Sequence, residues 1–377
     1  TDIFLRLIKM IIAPLVFTTL VVGIAKMGDT RTVGRIGVKT LGWFMLASLM
    51  SLTLGLVMVH LMQPGVGLSL SLPDDGTSSG VVATAISLKD FVTHAIPKSV
   101  VEAMATNEIL QIVVFSLFFG LAAAALGDDA KPVVKLMASG AEIMLKVTGY
   151  VMNFAPFAVF GAIAAMVAKE GLGILATYGT FMAQFYLALG CLWLLLIAMG
   201  SLFIRRRILT LLALIREPIL LAFSTASSEA AYPKTLDRLE KFGCDKRIAS
   251  FVLPMGYSFN LDGSMMYCTF AVMFIAQAYG IELSTAQQIT MLLLLMVTSK
   301  GMAGVPRASL VVIAATLNQF HIPEAGILLL LGIDHFLDMG RSATNVLGNA
   351  IAASVVAKSE DSLGETAPLG EVDTAKA

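Results

Sequence analysis

The chain contains four long stretches without a single Asp, Glu, Lys or Arg. They cover residues 40–73, 109–127, 147–168 and 171–204. A helix needs about 20 apolar residues to cross the roughly 30 Å hydrocarbon core of a bilayer, and 57% of the residues are apolar whereas 14% are charged. The alternation of apolar and polar residues that a membrane β-barrel requires is absent from the sequence. The sequence therefore predicts an all-α polytopic membrane protein surrounded by the lipid bilayer.

Basic residues cluster beside some of the apolar stretches and are scarce beside others. The clusters are Lys26, Arg31, Arg35 and Lys39; Lys131 and Lys135; Arg205 to Arg207; and Arg238, Lys241, Lys246 and Arg247. The positive-inside rule places such clusters in the cytoplasm, which predicts a multi-pass protein of a bacterial-type inner (plasma) membrane. The net charge of zero gives no reason to expect a nucleic-acid partner.

After residue 204 the apolar stretches become short and are interrupted by small polar residues. Segments 218–234 and 291–317 share one plan: an apolar arm, a Ser-rich tip, a proline and a second apolar arm. Both are too short to cross the membrane and return, so we interpret them as re-entrant hairpins. Between them, the motif SFNLDGS (258–264) interrupts an apolar helix. Irregular backbone at membrane depth needs protein or water around it, and paired interruptions indicate the midplane site of a transporter.

The last apolar helix carries a stripe of polar residues. Asp334, Asp338, Arg341, Asn345 and Asn349 follow one another at gaps of four, three, four and four, which places them on one helical face. An arginine fork suits a carboxylate and an aspartate suits an ammonium, so the stripe predicts a clamp for an acidic amino acid. The alternative is a structural ion pair between Asp338 and Arg341, which are neighbours on the helix. The clamp requires that both side chains face a shared cavity and do not neutralise each other.

Two other features have a functional and a structural interpretation. Asn260 and Asp262 beside Gly263 offer the oxygen ligands that a cation needs, and a water-lined kink is the alternative. The tips Ser224–Ser228 and Ser299–Gly304 offer hydroxyl and amide groups to an anion, although Ser-rich bends also satisfy their own backbone.

Four motifs occur in order along the chain: STASSEAAYP, SFNLDGS, SKGMAGVPRAS and DMGRSATNVLGN. Together they resemble the dicarboxylate/amino acid:cation symporter family, that of the glutamate transporter homologues, over essentially the whole chain. The resemblance implies a glutamate-transporter-like fold of eight spans, with two re-entrant helical hairpins and a broken helix. It further implies a homotrimer and an elevator-type movement of a transport domain against a scaffold. This chain begins where the second family span begins, so we expect the first span to be missing.

The resemblance also divides the chain into functional segments. It implies scaffold spans over 1–62, an external loop over 63–96, scaffold spans with the trimer contacts over 97–135, two linking spans over 136–204, a transport core over 205–358 and a cytoplasmic tail over 359–377. Within the core it implies a first hairpin at about 209–241, a broken helix at 246–280, a second hairpin at 284–319 and a polar-striped helix at 323–357.

By the same resemblance, Asp338 binds the substrate's amino group, Arg341 its side-chain carboxylate and Asn345 its main-chain carboxylate. Ser342 and Ser264 assist, and the hairpin tips close the pocket through Ser227, Ser228 and the segment from Val305 to Ser309. C4-dicarboxylate members of the family generally lack the acid that corresponds to Asp338. Its presence favours glutamate or aspartate as substrate, with a C4-dicarboxylate as the alternative.

The sodium ligands of the family correspond to Gly256, Ser258, Asn260, Asp262, Ser299, Asn345 and Asn349. Sodium-coupled members usually have Asp at the position of Asn349, and Tyr, Thr and Thr at those of Phe44, Ala47 and Met302. Fewer oxygens and less negative charge weaken sodium binding, which favours H⁺ over Na⁺ as the coupling ion. The glutamate that carries a proton in animal relatives is Cys268 here, so the carrier is left open among Asp262, Asp338 and Glu229.

Other classes of function fit the sequence less well. A hydrolase needs a nucleophile with its base, and neither GxSxG nor HExxH occurs. The cysteines and histidines show no spacing for a transition metal. We therefore expect neither an enzyme nor an organic cofactor. An anion channel remains an alternative, but it needs a continuous polar pore, whereas the polar residues concentrate in the final part of the chain.

Arg307 in the second tip also departs from the family pattern. We hypothesise that its positive charge replaces a bound cation when this tip closes. The substitution Arg307→Ala is then expected to abolish uptake driven by a pH gradient. Uptake of labelled glutamate into liposomes under an imposed pH gradient measures this, and unchanged kinetics would contradict the hypothesis.

Overall fold

The computed structural model describes residues 2–27, 30–66, 95–154, 173–299 and 308–366, together with isolated positions between 93 and 168. Regular structure in these ranges is helical, apart from one isolated β-bridge between Cys244 and Leu363. The helices are α1 (Asp2–Met27), α2 (Thr30–Met62), α3 (Val100–Thr106), α4 (Ile109–Leu126), α5 (Lys131–Met152), α6 (Gly173–Ile204), α7 (Arg207–Thr225), α8 (Tyr232–Phe242), α9 (Lys246–Phe259), α10 (Asp262–Ala278), α11 (Thr285–Thr298), α12 (Ala308–Gln319), α13 (Leu328–Leu331) and α14 (Asp334–Ser359). The predicted helical class is confirmed.

Several described stretches are long and apolar enough to cross a bilayer by length and composition. They are Arg31–Met62, Ile109–Met152, Tyr178–Ile204, Arg207–Thr225 and Lys246–Ala278. The last of these contains α9 and α10, and nearly all of its apolar part is buried inside the protein. This stretch therefore lies in the core, whereas α6 exposes a large part of its apolar surface.

The predicted interruption within 246–280 lies at two residues. Asn260 (φ −126°, ψ 62°) and Leu261 (φ −95°, ψ 63°) leave the helical region between α9 and α10. The first turn of α10 therefore begins at Asp262, deep inside the protein, where Asn260 and Asp262 are both fully buried.

Helix α14 lies at the centre of the final part of the chain and contacts α2, α6, α7, α8, α9 and α10. Two hydrogen bonds from α6 fix the position of α14 along α6. The Tyr186 hydroxyl donates to the carbonyl of Phe336 (2.6 Å), and the Trp193 indole N–H donates to the Thr344 hydroxyl (2.8 Å). The helix expected over 323–357 is divided in the structure. A 3₁₀ turn at Glu324–Ile327 and the short α13 come first, and α14 begins only at Asp334. Gly332 follows α13 and keeps an ordinary right-handed backbone (φ −70°).

Two helix pairs flank α14 and α10. Helices α7 and α8 are joined through Ala226, whose backbone is left-handed (φ 48°), and pack on Val346 of α14 through Ala222 and Ala231. Helix α11 begins with a capping box between Ser284 and Gln287 and packs against α12. The tip between α11 and α12, residues 300–307, lies outside the described residues. The arms of both predicted hairpins are thus helical, while their re-entrant course in the membrane stays a prediction.

The two helices of the segment 1–62, expected to form one scaffold unit, pack in different places. Helix α1 packs mainly against α4, α5 and α9, whereas α2 packs along α10 and also contacts α11 and α14. Both helices are apolar on most faces, so hydropathy alone did not distinguish their partners. Most of the expected external loop, residues 67–92, lies outside the described residues, and the scaffold, linking and trimer roles stay predictions.

Residues 360–366, here called the C-terminal strap, belong to the segment predicted as a cytoplasmic tail over 359–377 and are packed against the protein. The strap pairs with the turn after α8 through hydrogen bonds from the Gly364 amide to the Gly243 carbonyl (2.8 Å) and from the Asp245 amide to the Ser362 carbonyl (3.1 Å). The extended backbone after Gly243 leaves polar groups that the strap satisfies. Residues 367–377 lie outside the described residues.

The carboxylate of Glu360, at the start of the strap, joins the end of α14 to α2. Arg35 bonds it at 2.7 Å and Lys39 at 2.5 Å, and its side chain is only 5% exposed. Arg31, Arg35 and Lys39 are spaced one turn apart, so this basic face belongs to α2 itself. The hydrogen bond from Arg35 is the largest cause that lowers the pKa of Glu360 below its ordinary value, and Lys39 adds to it.

We expect the substitution Glu360→Gln to lower the stability of the protein by about 1 kcal/mol at neutral pH, because both cations are partly solvated. A lowered folded-state pKa means that the stabilisation is complete above the ordinary carboxyl pKa and is lost as pH falls through the folded pKa. Thermal unfolding followed by tryptophan fluorescence should therefore separate the variant from the parent at pH 7 but not near pH 3. Asp128→Asn is the matched control, because its ion pair with Lys131 is exposed on both sides. An equal effect in the control would contradict the assignment.

Candidate functional site

The side chain of Arg341 is buried in the middle of the protein, with 2% of its surface exposed. Its Nη2 atom donates to Oδ1 of Asp334 at 3.1 Å and lies 3.0 Å from Oδ1 of Asp338. Both acids lie on α14, one and two turns before the arginine. One guanidinium is therefore shared by two carboxylates, and these three side chains are called the charge cluster below.

The expectation that Asp338 and Arg341 do not neutralise each other is wrong. The structure pairs them, because residues three apart on a helix are neighbours whatever else surrounds them. The pair is nevertheless open on one side. The Asp338 side chain is 39% exposed, and Nε and Nη1 of Arg341 have no hydrogen-bond partner in the described part of the chain. The cluster thus keeps two buried donors and one accessible carboxylate.

Tyr267 of α10 completes the cluster. The guanidinium carbon of Arg341 lies 4.0 Å from the centre of its ring, a cation–π contact. The Tyr267 hydroxyl donates to Oδ1 of Asp334 at 3.2 Å. Sequence reasoning missed this residue, although its spacing of three from Ser264 places it one turn further along the helix of a predicted site residue.

Asn345 and Ser264, both predicted to bind substrate, are in contact one turn along α14 from Arg341. The amide nitrogen of Asn345 donates to the Ser264 hydroxyl at 3.3 Å, and its Oδ1 accepts from the backbone amide of Gly263 at 2.9 Å. Ser342 is buried on the neighbouring position. Ser309 is buried at the start of α12, which packs against α10. The structure thus brings four of the predicted substrate residues onto α14, α10 and α12, while Val305 lies outside the described residues.

The first tip is not connected to the charge cluster by a hydrogen bond among the described residues. The Ser227 hydroxyl accepts from the backbone amide of Ala230 at 3.2 Å, which is the local role that was the alternative for such tips. Ser228 is buried, and its carbonyl accepts from the amide of Ala231. Glu229 belongs to a 3₁₀ turn that contacts α1.

Three of the predicted cation ligands form one hydrogen-bonded group at the helix break. The side-chain nitrogen of Asn260 donates to Oδ2 of Asp262 at 3.0 Å and to Oδ1 of Asn349 at 3.1 Å. Close packing requires glycine at two positions here: a Cβ at Gly256 would meet the Asn349 side chain, and one at Gly348 would meet the Asp262 carboxylate. Asn260 Oδ1 and Asn349 Nδ2 have no partner in the described part of the chain, so the group retains an oxygen that a cation can use.

Two other predicted cation ligands, Ser258 and Ser299, are buried but form no hydrogen bond with that group among the described residues. The Ser258 hydroxyl has no partner in the described ranges, and the Ser299 hydroxyl donates to the carbonyl of Met296 at 3.4 Å. Arg307 lies outside the described residues. Asn345 joins the two sets, since it lies between Arg341 and Asn349 on the same face of α14.

Ser51 of α2 also contacts the hydrogen-bonded group of Asn260, Asp262 and Asn349, which is called the cation group below. Its hydroxyl donates to Oδ1 of Asp262 at 3.3 Å and also to the carbonyl of Ala47 at 2.8 Å. Ala47, one turn before it, and Phe44, two turns before it, are fully buried. The signal in the sequence was the spacing of Ser48 and Ser51 on one apolar helix, but the partner of that helix was not evident from the sequence.

The chain is similar to known membrane-transport proteins over almost its whole length. The model of the sodium:dicarboxylate symporter family matches residues 1–359. The proton/sodium-glutamate symport protein of Bacillus caldotenax is 42% identical, over 97% of this chain and 88% of that protein. The C4-dicarboxylate transport protein of Laribacter hongkongensis is also 42% identical, over 96% of this chain and 83% of that protein. The proton/glutamate-aspartate symporter of Bacillus subtilis is 39% identical, over 95% and 87%.

The family model covers nearly the whole chain, and these relatives are transport proteins by name. The apolar helices are long enough for several membrane crossings. The chain therefore belongs to the sodium:dicarboxylate symporter family and is a multi-pass transporter of the plasma membrane.

Proposed function

We propose that the chain imports acidic amino acids, L-glutamate or L-aspartate, as a secondary active symporter with H⁺ as its coupling ion. The charge cluster is the observation that carries this proposal. A ligand carboxylate takes the place of Asp338 at the guanidinium of Arg341, where Nε and Nη1 provide two further donors. The ligand ammonium then takes the released carboxylate of Asp338. One internal ion pair is exchanged for two pairs with the ligand.

The charges of the cluster also explain why a cation must accompany the substrate. Two ionised carboxylates and one guanidinium leave one formal negative charge among Asp334, Asp338 and Arg341. Glutamate adds another negative charge, and the fully buried Asp262 lies close by along the same helices. Uncompensated charge in a low-dielectric interior costs several kcal/mol per ion. Binding of substrate is therefore favourable only together with a proton or a metal cation.

The ligand set at the helix break favours the proton over sodium. Asn349 supplies a neutral amide beside Asn260 where sodium-coupled relatives usually have a carboxylate, and Phe44 and Ala47 supply no side-chain oxygen. Ser51 adds one hydroxyl near Asp262, which does not restore the missing charge. Asp262, Asp338 and Glu229 remain the candidates for the proton carrier, and they lie respectively at the helix break, in the charge cluster and beside α1.

The second candidate function is transport of C4-dicarboxylates, which the name of one similarly related protein favours. Asp338 decides between the two, because succinate has no ammonium group to pair with it. The homotrimer and the elevator movement are parts of the proposal that follow from the family resemblance. Helix α1 packs with α4 and α5 but also with α9, whereas α2 packs with α10 and α14.

Reconstitution of the purified full chain into liposomes tests the proposal. Proton and sodium gradients are imposed separately, and labelled aspartate, glutamate and succinate are offered to each preparation. Accumulation of an amino acid against its gradient, driven by protons, is expected. A strict requirement for sodium would contradict the choice of coupling ion, and equilibration without accumulation would favour an anion channel.

The substitution Asp338→Asn is expected to weaken aspartate transport about 100-fold in kcat/KM, because a charge-assisted hydrogen bond contributes about 1.5–3 kcal/mol. Inhibition by succinate should be retained or strengthened. Asp334→Asn is the matched comparison, since Asp334 holds Arg341 and is 4% exposed; it should weaken both ligands alike. Equal losses for aspartate and succinate in Asp338→Asn would contradict the ammonium role.

The substitution Asn349→Asp is expected to make uptake dependent on sodium, because it adds a carboxylate beside the side-chain amide of Asn260 without changing the size of the side chain. Uptake at fixed pH with and without a sodium gradient measures the change. Asn349→Ala is the control, which should lower uptake without any gain from sodium. A variant that stays indifferent to sodium would contradict the assignment of this group as the cation site.

A further inference from the structure

A groove of about 980 Å³ opens at the junction of α6 and α7. Four cations and four apolar residues line it, namely Arg205, Arg206, Arg207 and Lys358 with Leu202, Phe203, Ile204 and Leu363. The residues come from the end of α6, the start of α7, the end of α14 and the C-terminal strap. The groove lies away from the charge cluster and takes no part in the function proposed above.

The four cations are not equivalent. Arg207 is committed to the fold: its Nη2 donates to the carbonyls of Phe242 and Gly364, both at 2.8 Å, and its guanidinium lies 4.8 Å from the Phe242 ring centre. Arg205, Arg206 and Lys358 are exposed and make no ion pair with any residue that the structure describes. The groove therefore has three exposed positive charges along its rim that form no ion pair within the described part of the chain.

The backbone fixes these charges at the edge of the apolar surface. Arg205 has a left-handed backbone (φ 51°), which ends α6 and turns the chain into α7. On either side of this turn, Leu202 is 78% exposed and Leu209 is 68% exposed. Phe203 packs edge-to-face on Trp43 of α2, with 5.5 Å between ring centres. Aromatic residues of this kind are enriched at membrane interfaces.

We propose that this groove binds an anionic phospholipid of the cytoplasmic leaflet, with the headgroup phosphate between Arg205, Arg206 and Lys358 and an acyl chain along Leu202 and Leu209. Three observations agree on this occupant. The stretch 171–204 is free of charge and ends at the arginines, which places them at the interface. The positive-inside rule assigns that interface to the cytoplasm. Basic pockets between helices on that side suit anionic headgroups.

Such a lipid would join parts of the chain that are distant in sequence. Lys358 lies at the end of α14, whereas Arg205 and Arg206 precede α7, and the strap residue Leu363 lines the same groove. A bound phosphate reduces the mutual repulsion of the three cations and holds the strap beside α7. We therefore expect the lipid to stabilise the folded protein as well as to bind.

Native mass spectrometry of the delipidated full chain, titrated with phosphatidylglycerol or with phosphatidylcholine, tests the proposal. Each cation removed is expected to weaken binding of phosphatidylglycerol roughly fivefold, so Arg205→Gln with Arg206→Gln should weaken it about 25-fold. Arg205→Lys with Arg206→Lys should retain most of the affinity. Lys358→Gln, on a separate helix, should weaken binding about fivefold and provides a second variant if the double substitution does not fold.

The matched control removes two charges elsewhere on the same predicted face, through Lys131→Gln and Lys135→Gln, and should leave binding unchanged. Thermal unfolding gives a second measure, in which phosphatidylglycerol raises the melting temperature of the parent but not of the double arginine variant. Equal weakening in the lysine control would overturn the proposal in favour of general charge attraction. Equal binding of phosphatidylcholine, or equal protection by millimolar inorganic phosphate alone, would overturn it as well.

Discussion

Burial of one guanidinium constrains the arrangement of the helices around it. Arg341 is 2% exposed, and a cation removed from water is tolerated only where other charges and hydrogen bonds replace its hydration. Asp334 and Asp338 of α14 supply the charges, and Tyr267 of α10 supplies its ring face and a hydroxyl that orients Asp334. Because these groups come from two helices, α14 and α10 must stay in register for the arginine to remain buried.

The same register places the cation group beside the charge cluster. Asn345 bonds Gly263 and Ser264 at the start of α10, and Asn349, one turn further, bonds Asn260 at the helix break. Two glycines allow this approach, since Gly256 and Gly348 leave no space for a side chain. Asn349 lies about two turns along α14 from Arg341, so this one helix joins the group at the helix break to the charge cluster.

The C-terminal end of α14 is fixed by different interactions. Glu360 pairs with the basic face of α2, and Arg207 holds the strap from the other side. These contacts are partly solvated, so each is worth far less than a buried pair. Buried polar groups thus fix α14 against α10, whereas several weak charged contacts beside a basic groove fix the C-terminal end of α14.

The sequence by itself determined what depends on local periodicity. Charge-free stretches indicated helices in a membrane, the gaps between Asp334 and Asn349 indicated one polar face, and Asn260 with Gly263 indicated the break, because helical geometry fixes neighbours three and four residues apart. Only the tertiary structure decided contacts between distant segments: the packing of α2 on α10, the bond from Ser51 to Asp262, the ring of Tyr267 under Arg341 and the strap against Gly243. It also decided that Asp338 pairs with Arg341 while keeping an open side, since that depends on the burial of both side chains. Burial and partner choice are properties of the packed chain, and an apolar helix carries no local signal of the helix that it packs against.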